Sequence, residues 1–66
     1  MNDIERKVYR IVWNIDHMKS RNTTYKELLI KSGRSENRLN EVLKCLVDQK
    51  LIWWDEGKTK EVKIRK

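Results

Sequence analysis

Apolar side chains recur every three or four positions up to Val47 and every second position after Lys50. Residues three and four apart share a helix face, whereas alternate residues share a strand face. One chain of 66 residues therefore carries helices first and strands last. The expected class is α+β, mainly α, with three helices followed by a C-terminal β-hairpin.

The first helix spans about residues 3–19. Ile4, Val8, Ile11, Val12, Ile15 and Met18 fall on one of its faces, and Asn2 with Glu5 has the spacing of a capping box. Polar residues 20–23 read as a connection. Thr24 and Glu27 form a second capping box, so another helix starts near residue 25. Leu28, Leu29 and Tyr25 supply its apolar side, and Gly33 is placed as its left-handed stop. Ser35 caps a third helix running to about Gln49, with Leu39, Val42, Leu43, Leu46 and Val47 as its buried stripe. A turn as short as Gly33–Ser35 predicts a helix-turn-helix pair. Leu51–Trp54 and Lys60–Arg65 then read as strands around a turn at Asp55–Thr59. Ile52, Trp54, Val62 and Ile64 are expected to face the core, and Trp53 and the lysines to face outward.

The length predicts one domain, residues 1–66. A lone cysteine, Cys45, excludes an internal disulfide, and with the lone His17 it excludes an all-protein zinc finger. No apolar run approaches the ~18 residues of a membrane span, and the N-terminus lacks the apolar stretch of a signal peptide. A cytoplasmic, nucleoid-associated protein with no membrane contact is the expectation. No nucleophile–base–acid set, phosphate-binding glycine loop or carboxylate cluster can be assembled. The chain is expected not to be an enzyme, and to need no cofactor and no metal. Cys45 reads as a structural thiol, with redox sensing as the alternative.

Several short segments resemble the winged helix-turn-helix DNA-binding family, as in MarR-like, ArsR-like and small archaeal or viral regulators. Thr24-Tyr25-Lys26-Glu27-Leu28 is similar to that family's Thr-x-x-Glu-Leu, and Gly33-Arg34-Ser35 to its Gly-x-Ser turn. Leu39, Val42 or Leu43, and Leu46 match the apolar positions of its recognition helix. Gln49-Lys50-Leu51-Ile52 resembles the approach to its wing, with Lys50 where glycine is usual. Asn40–Leu46 is also similar to the third helix of Z-DNA-binding domains. Lys44 stands where those have tyrosine, and their Pro-Pro pair is missing from the wing.

The resemblance implies double-stranded DNA as partner and transcription regulation as role. Opposite the apolar stripe of the third helix lie Asn37, Asn40, Glu41 and Lys44, with Arg38 at the flank. In a major groove, Asn37 or Asn40 could pair with an adenine edge and Arg38 with guanine. Glu41 could accept from a cytosine amine, or hold Arg38 or Lys44 in place. Lys44 would meet a phosphate, as would Ser35 and the backbone donors at the helix start. The alternative is an ordinary solvated face.

The net charge is +6, and residues 58–66 hold five basic side chains against Glu61 alone, or +4 of it. Lys58 and Lys60 at the wing tip are candidate phosphate contacts; a charged edge that blocks strand aggregation explains the same residues. Tyr9, Trp13 and His17, four apart, are expected to form an exposed stripe on the first helix. Such a stripe predicts a homodimer through that helix; the alternatives are that the wing or the C-terminal tail folds over it, or that it stays partly exposed. The competing function is a protein-interaction module on the same fold, an accessory subunit of a replication or transcription complex with a protein partner.

Overall fold

A computed structural model describes residues 2–55 and 60–65. The order is α1 (Asp3–Lys19), β1 (Thr23–Thr24), α2 (Tyr25–Ser32), α3 (Glu36–Asp48), β2 (Ile52–Trp53) and β3 (Glu61–Ile64). It is a small, mainly helical α+β arrangement in which the three strands form one antiparallel sheet ordered β1-β3-β2.

Each helix starts where its capping chemistry starts. Asn2 Oδ1 accepts from the Glu5 amide at 2.8 Å, and the Glu5 carboxylate accepts from the Asn2 amide. Thr24 and Glu27 repeat the exchange at α2. Ser35 Oγ accepts from the Arg38 amide to open α3. These bonds satisfy N–H groups that the first helical turn leaves without partners. Gly33 ends α2 at φ 68°, in the left-handed region.

The end of α3 uses a different residue for the same geometry. Lys50 N–H donates to Val47 O and Leu51 N–H to Leu46 O. This nested pair is a Schellman closure, which needs a left-handed residue just past the helix. Lys50 fills that position at φ 61°. The place where glycine is usual therefore does require glycine-like backbone.

The core gathers Val8 and Val12 of α1, Leu28 of α2, Leu39, Val42, Leu43 and Leu46 of α3, Ile52 of β2 and Val62 of β3. Every element except the two-residue β1 contributes an aliphatic side chain, and Thr23 of β1 is itself buried. Burying such side chains is the main force holding a chain this short. Ile4, Ile11, Trp54 and Ile64 pack half-buried against it.

Three sequence expectations need correction. Met18 is 81% exposed. It lies in the last turn of α1, at the edge of the apolar stripe and past the main cluster. Residues 20–23 are not merely a connection, because Thr23 pairs with Val62 and Thr24 with Glu61. A strand of two residues is too short to show alternation, so the sequence could not announce it. Cys45 is exposed on α3, since it lies off the Leu39–Leu43–Leu46 stripe.

The hairpin expectation holds for the described residues. Ile52 pairs with Ile64 and Trp53 with Lys63; Ile52 and Val62 are buried, and Trp53 faces out. The Arg65 guanidinium lies 4.3 Å from the Trp53 ring centroid, a cation–π contact across the outer face.

Two substitutions test this packing. Thr23 Oγ1 is buried with no hydrogen-bond partner among the described residues. Thr23→Val removes that hydroxyl without changing shape and should stabilise the protein by about 1 kcal/mol. Lys50→Gly relieves the side-chain cost of a left-handed residue and should add roughly 0.5–1 kcal/mol. Thermal or urea unfolding reads both, and a fall in stability in either case contradicts the packing described.

Candidate functional site

The outer face of α3 is built by the same spacing that builds its inner face. With Leu39, Val42, Leu43 and Leu46 buried, Asn37, Arg38, Glu41 and Lys44 are left outside the core, all four of them exposed. Arg38 Nη1 donates to Glu41 Oε2 at 3.1 Å. Of the roles open to Glu41, holding Arg38 is the one the geometry adopts. The pair is solvent-exposed, so it orients the guanidinium without binding it strongly. Ser35 stands at the N-terminus of this face as the cap.

Asn40 differs from its neighbours. It is half-buried, and its Oδ1 accepts from the Tyr25 hydroxyl at 2.7 Å. Tyr25 is held on two further sides. Its ring stacks on Trp54 with centroids 6.2 Å apart and planes 11° from parallel. Its backbone N–H donates to Lys60 O at 2.6 Å. The start of α2, the middle of α3 and the mouth of the hairpin thus meet at Tyr25. Trp54 also lines two adjoining depressions. One, of about 220 Å³, is shared with Lys44, Val47 and Asp48. The other, of about 330 Å³, is shared with Val47, Trp53, Asp55, Glu61 and Lys63.

The structure therefore brings Lys60 of the hairpin and Asn40 and Lys44 of α3 around one aromatic pair. Lys60 is exposed. Lys58, expected beside it, lies outside the described residues. Sequence pattern does not mark Tyr25 and Trp54 as site residues. Tyr25 follows a capping threonine and reads as part of an apolar side. Strand alternation assigns Trp54 inward. Their meeting depends on residues 25, 40 and 54 coming from three parts of the chain, which no local period reveals.

The stripe on α1 is narrower than expected. Trp13 is 41% exposed and stacks on the exposed His17, with ring centroids 3.9 Å apart. Tyr9 is not part of that free surface; it packs half-buried against the core. Its position, one helical step nearer the buried face than Trp13, explains the difference. The opposite flank of α1 presents Arg6, Lys7 and Arg10 along a shallow groove with Asp3 and Asn14.

Comparison with protein-family models, curated proteins and solved structures finds no match to this chain. Among the described residues, no group of His, Cys, Asp and Glu is placed to hold a metal ion. No helix there is long and apolar enough to cross a membrane.

The start of α2, which carries Tyr25, is fixed by a charge pair. Arg21 Nη1 and Nη2 donate to the two Glu27 carboxylate oxygens at 2.7 and 2.8 Å. Thr24 adds its N–H and its hydroxyl to the same carboxylate. The Arg21 hydrogen bonds above all, then the Thr24 backbone donor, hold the Glu27 carboxyl at about 2 against an ordinary 4.5, with burial opposing them. The folded-state value is the depressed one. The pair therefore contributes stability above about 4.5 and loses it as the pH falls toward about 2. Glu27→Gln should be less stable than the wild type at neutral pH, and the gap should close across that window. Unfolding curves at several pH values measure it; a gap independent of pH contradicts the assignment.

Proposed function

We propose that this chain is a winged helix-turn-helix domain that binds double-stranded DNA and regulates transcription. In this reading α3 enters the major groove and the basic hairpin lies on the phosphate backbone. The observation that carries it is the junction at Tyr25, which is bonded to Asn40 on α3 and to the backbone of Lys60 in the hairpin. Support also comes from the short turn before α3 and from the +4 concentrated in residues 58–66. Base contacts fall to Asn37, Arg38, Asn40 and Glu41; phosphate contacts fall to Ser35, Lys44, Lys58 and Lys60.

A fluorescence-anisotropy titration on duplex DNA at two salt concentrations tests the reading. Affinity should fall with salt by about 0.9 in the log–log slope per phosphate contacted. Lys60→Ala should weaken binding evenly across sequences and flatten that slope by roughly one contact. Arg38→Ala should relax sequence preference at one position, by about 1–3 kcal/mol of discrimination. Undetectable binding at low salt overturns the proposal.

The same reading includes a homodimer through α1, supported by the exposed Trp13–His17 stack. A two-fold pair would present two copies of α3 to successive major grooves. Sedimentation should show a dimer at micromolar concentration that Trp13→Ala dissociates. A wild type that stays monomeric removes this part. The exposed tryptophans Trp13 and Trp53 favour a second reading, an accessory subunit that binds a protein partner. That reading would be selected if Lys60→Ala and Arg38→Ala leave DNA affinity unaffected while Trp53→Ala abolishes binding to a protein partner.

A further inference from the structure

We infer that Tyr25 is a specificity-determining positioning residue, which ties up part of the acceptor capacity of Asn40 and so biases it toward guanine over adenine. This rests on the duplex-binding reading proposed above and assigns what one of its side chains recognises.

A free asparagine side chain offers an acceptor and a pair of donors. Adenine is read by using both together, because its major-groove edge presents N7 as acceptor and the N6 amine as donor. Asn40 does not offer both equally. Its Oδ1 already accepts from the Tyr25 hydroxyl at 2.7 Å, which uses one of its two lone pairs and ties the amide's orientation to Tyr25. Its Nδ2 has no partner among the described residues, so the N–H groups are what the side chain can present. Guanine shows two adjacent acceptors on the same edge, O6 and N7, and no donor. An amide whose oxygen is tied to Tyr25 matches that edge with its donors and can meet the adenine amine only with the one lone pair that remains. An adenine amine that finds that lone pair badly aimed loses its water for a poor acceptor, which is costly.

The lock is rigid because Tyr25 has little freedom to withdraw. Its backbone N–H is tied to Lys60 O and its ring is stacked against Trp54. The start of α2 is clamped by the Arg21–Glu27 pair two residues away. Releasing Oδ1 would require breaking a hydrogen bond inside a half-buried junction. The sequence alone allows Asn40 an adenine edge; this bond is what turns the proposal toward guanine.

The test is a selection from a randomised duplex library, followed by anisotropy titrations on single-base variants of the selected site. The wild type should prefer guanine over adenine by about tenfold at one position. Tyr25→Phe keeps the ring on Trp54 and frees Oδ1. It should shift that position toward adenine. Asn40→Asp keeps an acceptor for the Tyr25 hydroxyl but has no N–H to offer, and it should lose the guanine preference without gaining adenine.

Absence of any duplex binding by the wild type overturns the functional reading, and this inference with it. Duplex binding in which Tyr25→Phe keeps the wild-type base ranking at every position overturns the inference alone. So does an Asn40→Asp variant that still prefers guanine.

Discussion

Strand β3 is hydrogen-bonded along both edges, to Thr23–Thr24 on one side and to Ile52–Trp53 on the other. The rest of the molecule depends on that double pairing. An isolated two-stranded hairpin is marginal in water. Here the third strand comes from the segment between α1 and α2, so the helical part and the hairpin share one sheet. Val62 points from the middle of β3 into the cluster made by all three helices. A chain of 66 residues can bury little surface, and β3 adds Val62 to the cluster that forms its core.

The same pairing sets the geometry of the candidate site. Next to Glu61, the chain runs past the first residue of α2, where Lys60 O receives the Tyr25 N–H. That bond brings Trp54 and Tyr25 into a stack and lets the Tyr25 hydroxyl reach Asn40. Secondary structure on its own would leave the polar face of α3 as a solvated helix surface. Junction with the hairpin gives that face a fixed neighbour, and ties one of its side chains, Asn40, to Tyr25.

Charge is arranged on a different principle from the core. Among the described residues, Arg38 leans on Glu41 and Arg65 covers Trp53, and Lys60 and Lys63 are exposed. Such contacts are weak enough in water to be exchanged for a polyanion. The Arg21–Glu27 pair is the exception. Its two short hydrogen bonds and its helix-capping partners make it part of the scaffold that holds α2.

The three helices, both capping boxes, the Gly33 stop and the Ser35 cap are legible in the sequence because each depends on residues within four positions of one another. The inward side chains Ile52 and Val62 are legible for the same reason, since alternation is a local signal. Lys50 in place of glycine is legible as an anomaly, and its left-handed backbone gives the anomaly its cause. What local pattern cannot supply is everything that depends on distant segments meeting. Thr23–Thr24 is a strand only because Glu61 and Val62 arrive beside it. Tyr9 is drawn toward the core, and Met18 is left outside it, by where the cluster ends. Asn40 gives its acceptor to a hydroxyl fifteen positions earlier. The sequence by itself determined which residues would be helical, which would be extended and which α3 side chains would face outward. Only the tertiary structure decided that one of those groups, Asn40, is half-buried and bonded to Tyr25, because that depends on the neighbour folded against it.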